Sequence, residues 1–180
     1  AMILPHGFDG QGPEHSSARI ERFLQLAAED NIIAVIPSTA AQMFHMIRRQ
    51  AKSNFAKPLV IFLSKRLLRA KEAMSDLNSI TDGVFLPVIA DDSAKKTASR
   101  VILCTGQVYY DLVKARAEKN LADSVAIVRV EQLYPFPAEQ VKAELAKYTK
   151  AKDFVWAQEE PYNQGAWLQI REDLDDALGG

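Results

Sequence analysis

The segment Leu4-Pro5-His6-Gly7-Phe8-Asp9-Gly10-Gln11-Gly12-Pro13-Glu14-His15-Ser16-Ser17 sets two histidines, an aspartate and a glutamate among three glycines and two prolines. Histidine is the side chain best suited to move a proton or to bond an oxyanion near neutral pH. Glycine and proline at this density make an irregular loop in unusual backbone geometry. An isolated histidine more often bonds its own loop, but this concentration points to a site. His15, nearest the following helix, is its first candidate. A metal reading is weaker: His6 and His15 stand nine residues apart, His45 is remote, and no HxxxH pair occurs. Glu159-Glu160 follows a strand pattern and could enter a site, although a structural or interfacial role is the plainer reading. Cys104, inside an apolar run, reads as a core residue. There is no GxGxxG, no Walker loop and no GxSxG.

Elements on either side must position this loop. Ile3-Leu4 reads as the stub of a buried strand. Ile20, Phe23, Leu24 and Ala27 mark a helix over 16–30, with Ser16 or Ser17 as its cap. Short apolar runs at 32–36, 59–63, 100–104, 124–129 and 153–157 predict strands. Helical patterns begin at Ser38-Thr39 and cover 107–119, 137–148 and 164–178. Strands that alternate with helices in this way predict an α/β fold of three layers, in which parallel or mostly parallel sheets carry helices on both faces. The polar run at 91–98 is the expected linker between a piece at 1–90 and a piece at 99–180. In such folds ligands gather at the carboxyl ends of strands, which is where the glycine-rich loop begins.

Composition narrows the class. The 180 residues are 48% hydrophobic and 25% charged, with 22 basic and 23 acidic side chains. Disorder and coiled coil are excluded, and nothing points to nucleic acid or a membrane surface. One cysteine allows no internal disulfide and suits a reducing cytosol. No apolar run approaches the roughly 20 residues of a membrane helix. The charge is uneven, because Met46–Lys71 holds eight basic residues and no acidic one, whereas 91–180 carries 12 basic and 15 acidic. A basic stretch is usually a solvated face or an interface; the sharper reading is a pocket for phosphate or carboxylate, which paired arginines match. The Ala1-Met2 start resembles a tag remnant before an initiating methionine, so a segment of a longer protein is expected.

Four blocks in order resemble the decarboxylating component of 2-oxoglutarate dehydrogenase complexes. They are 4–26, Pro37-Ser38-Thr39 with Phe44-His45-Met46-Ile47-Arg48-Arg49, Val128–Pro137, and Trp156-Ala157-Gln158-Glu159-Glu160-Pro161-Tyr162-Asn163-Gln164-Gly165-Ala166-Trp167. The resemblance implies two transketolase-like pieces, 1–90 from the pyrimidine-binding domain and 99–180 from a partial C-terminal domain. It implies a homodimer, cytoplasmic in bacteria or in the mitochondrial matrix of eukaryotes, that decarboxylates 2-oxoglutarate with thiamine diphosphate and magnesium. The succinyl group passes to lipoamide on a dihydrolipoyl acyltransferase. His15 is then the residue that contacts the 2-oxo acid, with His6 and Gln11 beside it in substrate binding. Arg49 matches a position that holds an acetyl-CoA effector in some relatives. The residues for diphosphate, magnesium and pyrimidine activation lie upstream in the family, so this segment alone is expected to be inactive. Ser64 and Ala40 stand where the family commonly has proline. The alternatives are a 2-oxoadipate-type paralogue and a non-catalytic dimerisation or assembly module.

Overall fold

The computed structural model describes residues 1–7 and 17–179. Two four-stranded, mostly parallel sheets organise them. The first contains β1 (Met2–Pro5), β2 (Ile33–Val35), β3 (Leu59–Leu63) and β7 (Gln132–Tyr134), in the order β1-β3-β2-β7. The second contains β4 (Val88–Ile89), β5 (Arg100–Cys104), β6 (Val125–Val130) and β8 (Asp153–Ala157), in the order β4-β6-β5-β8. The five longer apolar runs form parallel ladders, as the α/β reading expected. The short strands β4 and β7 are antiparallel additions that the sequence did not announce. Two or three residues give no measurable period, so only their tertiary partners define them.

Alternation along the strands divides the interior. Ile33, Val35, Leu59 and Ile61 face α2 (Ala40–Lys52) through Met46, while Ala34, Val60 and Phe62 face the opposite way. In the second sheet Cys104, Val125 and Ile127 face α4 (Val108–Glu118). The remaining faces of both sheets share one core with α1 (Ile20–Gln25), α5 (Ala138–Leu145) and α6 (Trp167–Leu178). Cys104 is fully buried in that packing, and burial pushes its thiol up. Among the described residues, no helix is long and apolar enough to cross a membrane.

The helix expected over 16–30 is shorter than its apolar pattern. It starts after Arg19, whose φ of 60° is left-handed, and Ser17 is not its cap. It ends because Asn31 closes the chain back on itself. The Asn31 amide donates to Leu26 O at 2.9 Å and its carbonyl accepts from Ala28 N at 2.9 Å, with Glu29 and Asp30 at positive φ. A further helix, α3 (Leu77–Thr81), is capped by Asp76, which accepts from Ser79 N at 2.7 Å.

Residues 91–98 join β4 to β5 inside one sheet and do not bridge the two sheets. Asp91 begins this segment and is 4% exposed. It accepts from Ile127 N at 2.7 Å and from the Ser93 hydroxyl at 2.6 Å, and it pairs with buried Arg116. Burial alone would raise the Asp91 carboxyl, but the Ser93 and Ile127 hydrogen bonds and the Arg116 guanidinium hold it below its ordinary value. Asp91→Ala would strand a buried guanidinium, with an expected loss of about 3–5 kcal/mol in the unfolding free energy. The folded carboxyl titrates below the unfolded value of about 3.9, so this stabilisation is present above that pH. It is lost as pH falls through the depressed value, and acid unfolding of the wild type against Asp91→Ala reads that difference.

Candidate functional site

The carboxyl ends of four strands from the two sheets meet at one place. Chain leaving β1 gives His6 and Gly7, and chain leaving β3 gives Ser64. From the second sheet, chain leaving β5 gives Thr105-Gly106-Gln107 and chain leaving β8 gives Gln158-Glu159-Glu160. His6, Ser64, Thr105, Gln107, Glu159 and Glu160 line a small pocket together with apolar Ile36 and Leu67. Ligand sites of open α/β sheets occupy this position because the turns that leave the strand ends and the helix N-termini that follow them gather there.

Local geometry explains the approach. His6 N donates to Leu63 O at 2.9 Å, which continues the β1–β3 ladder past its last pair. Gly7 then turns at φ 135°, and a side chain there would meet Ser64 and the Gln107 amide at 3.3–3.4 Å. Ala18 N donates to Pro5 O at 3.2 Å, which brings the two flanks of the glycine-rich loop together. The His6 ring touches Phe62 edge-on at 6.2 Å, and its Nε2 lies 2.5 Å from Glu160 Oε1. The Ser64 hydroxyl donates to Gln107 Oε1, and Gln107 Nε2 donates to Glu159 Oε2 at 2.7 Å. The His6–Glu160 and Ser64–Gln107 contacts run between the two sheets, and the Gln107–Glu159 bond ties together two strand ends of the second.

Ligand atoms of His6, Glu159 and Glu160 lie within 4.8 Å of one another. Donors around a tetrahedral metal with bonds of about 2.0–2.1 Å are roughly 3.3 Å apart. The 2.5 Å approach of His6 to Glu160 is instead a direct, charge-assisted hydrogen bond.

His15 and Gln11 lie outside the described residues. His6 is at the pocket. Arg49 is not: it lies on α2 in a separate basic cavity of about 320 Å³ with His45, Arg48, Lys52 and Phe85. Its guanidinium stacks 4.3 Å over Phe85 and donates to Gln132 Oε1 at 2.8 Å, and burial lowers its pKa. Sequence reasoning passed over Gln107 and Ser64. The rule that selected the His6 loop, attention to residues just past a strand, would have found both.

A second buried cluster joins the sheets behind the pocket. Fully buried Glu131, between β6 and β7, accepts from Ser38 N at 2.7 Å. Arg129 donates to Ser38 Oγ at 2.9 Å and stacks 4.1 Å over Tyr109, and the Tyr110 hydroxyl donates to Ser38 O at 2.6 Å. Ser38 is thus held by backbone and side chain just before Thr39, whose hydroxyl caps α2. Burial raises the Glu131 carboxyl despite the opposing pull of Arg129, and burial likewise pushes Tyr110 up to about 12.

This architecture defines the class: the fold is that of transketolase-type enzymes. The solved structure of "Split gene transketolase, inactive beta4 tetramer" superposes with a TM-score of 0.63 at 18% identity, over 91% of this chain and 50% of that one. The family "Transketolase, pyrimidine binding domain" matches residues 1–71, and the family "2-oxoglutarate dehydrogenase C-terminal" matches residues 74–180. The chain belongs to the 2-oxoglutarate dehydrogenase C-terminal family. Relatives named 2-oxoglutarate dehydrogenase E1 component include those of Haemophilus influenzae, 50% identical over 98% of this chain, and Cupriavidus necator, 53% identical over 94%. A third, from Azotobacter vinelandii, is 53% identical over 92%. The chain spans 19%, 18% and 18% of these three relatives' lengths, respectively.

The raised Glu131 carboxyl has a defined stability signature. Its folded value exceeds its unfolded value, so folding stability falls as pH rises from the ordinary carboxylate range to the raised value. Glu131→Gln should remove that decline from the pH profile of unfolding. Glu131→Ala should cost about 1–3 kcal/mol by leaving the buried Ser38 N–H unsatisfied.

Proposed function

We propose that the chain is part of a thiamine-diphosphate-dependent 2-oxo acid dehydrogenase that decarboxylates 2-oxoglutarate and passes the succinyl group to lipoamide of a dihydrolipoyl acyltransferase. Identity of about 50% with 2-oxoglutarate dehydrogenase E1 components, running through the glycine-rich loop and the β8 turn, is the observation that carries this reading. On it, the first sheet with α1 and α2 is the C-terminal part of a pyrimidine-binding domain, and the second sheet belongs to a C-terminal domain. The bacterial relatives favour a cytoplasmic enzyme.

The residues present do not fit the diphosphate or its magnesium. The chain has no Gly-Asp-Gly segment, and its one described His–carboxylate cluster is closed by the direct His6–Glu160 bond. Thiamine diphosphate, carried by the rest of the parent, would supply the electron sink that no side chain provides. The part left to this chain is to bind and orient substrate at the strand ends. His15, His6 and Gln11 are the proposed substrate-binding residues, with His15 donating to developing negative charge on the 2-oxo acid. Arg49, in its basic cavity, is the proposed contact for an acidic acetyl-CoA effector.

In the full-length parent, His15→Ala should lower succinyl transfer from 2-oxoglutarate about 100-fold or more, and undiminished turnover would sink its role. The 180 residues alone should release no carbon dioxide. Parallel assays with 2-oxoadipate separate the two substrate classes, and repetition with acetyl-CoA should show a response that Arg49→Ala removes.

An assembly role is a second reading with its own support. An apolar groove of about 320 Å³ on the first sheet is rimmed by Leu68 and Met74, 64% and 73% exposed, beside half-exposed Phe44. Apolar surface of this kind usually meets a partner. Sedimentation of the chain should give a dimer on this reading, and a monomer at tens of micromolar would count against it.

A further inference from the structure

Glu160 is the buried ionisable group at the pocket to which no role has yet been given. Its side chain is 6% exposed and that of His6 is 8% exposed, and the two residues stand 154 positions apart in the chain. Such a pair must be brought together by structure built for it, because burying either group unpartnered is costly. The β8 turn is built in that way. Gln158 accepts from Trp156 Nε1 and from Trp167 N, each at 3.1 Å, and donates to Gln164 O at 2.7 Å and Pro161 O at 3.2 Å. One amide therefore staples residues 156–167 into a single shape. Gly165 sits at φ 73°, where a Cβ would come within 3.0 Å of both the Gln158 amide and the Glu160 carboxyl carbon. The same turn is tied to the segment that leaves the glycine-rich loop: Gly165 N donates to Glu21 Oε2 at 2.9 Å, and Arg19 donates to Gln164 Oε1 at 2.9 Å.

His6 lies past the last residue of β1, with backbone anchored through Leu63 O and left-handed Gly7 after it, and its ring meets Phe62 edge-on. We propose that Glu160 is a positioning residue for His6: its carboxylate, delivered from the second sheet, holds the ring by Nε2 and directs Nδ1 to the opposite side, so that the imidazole meets a 2-oxo acid in one orientation. The inference rests on the functional reading above, in which His6 faces substrate. A carboxylate that fixes the tautomer and angle of a histidine acts through that histidine and need not touch the substrate itself.

The test is a double-mutant cycle in the full-length parent, with Glu160→Gln, His6→Asn and the pair, read as kcat/KM for 2-oxoglutarate beside the unfolding midpoint. Glu160→Gln should lower kcat/KM about 10- to 100-fold, the scale of a misplaced orienting group, while the midpoint stays close to that of the wild type. The double variant should fall no further than His6→Asn, because both changes remove one function. Glu160→Asp keeps the charge on a shorter arm and should retain an intermediate kcat/KM; it also serves should the glutamine variant fold poorly. A Glu160→Gln enzyme within twofold of wild type, losses that multiply in the pair, or a fully active Glu160→Asp would each overturn the proposal. A wild-type parent that leaves 2-oxoglutarate untouched would instead overturn the functional reading. An active wild type with an additive cycle would overturn the positioning role alone.

Discussion

The chain passes between the two sheets three times, and at one of these crossings it does so through a single residue. Val130 ends β6 in the second sheet, Gln132 begins β7 in the first, and Glu131 lies between them without solvent exposure. Its carbonyl accepts from Ile36 N at 2.8 Å, its N–H donates to Pro87 O at 2.8 Å, and its carboxylate accepts from Ser38 N. A crossing this short leaves the two sheets no freedom to slide. Because β7 hydrogen-bonds to β2 while β6 hydrogen-bonds to β5, the carboxyl ends of both parallel ladders must face the same pocket. A buried carboxylate is a costly device for such a joint, and the donors around Ser38 offset that cost.

The other buried charges follow the same logic. Asp91 and Arg116 anchor the β4–β5 connection to α4 and β6, and His6 with Glu160 ties the end of β1 to the end of β8. Each joins segments remote in sequence, and each would be more expensive broken than it is stabilising when made. The His6–Glu160 contact therefore helps to select one arrangement of the two sheets and the Asp91–Arg116 pair fixes the edge of the second, whereas apolar burial in the shared core supplies the bulk of the driving force.

Ser64 illustrates how a residue just past a strand enters the site: its hydroxyl bonds Gln107, which in turn bonds Glu159, and this links the end of β3 to the second sheet. Arg49 is a contrasting case: its basic neighbours were evident as a charge run, yet only the fold shows that they enclose a cavity away from His6.

The five longer strands and the helices after them were readable from residue types alone, because apolar runs and a 3.6-residue period are local properties. The glycine-rich loop was picked out by its density of glycine, proline and histidine, and its residues 8–16 lie outside the described residues. Helix 16–30 was over-read because its apolar pattern outlasts the helix, which Asn31 closes by bonds that no period encodes. Strands β4 and β7, buried Asp91, the Glu131 joint and the meeting of His6 with Glu160 were decided by tertiary structure only. Each is a contact between residues far apart along the chain, made where a strand ends and the backbone turns out of its ladder. Local sequence fixes where such ends fall; which of them meet depends on how the sheets pack.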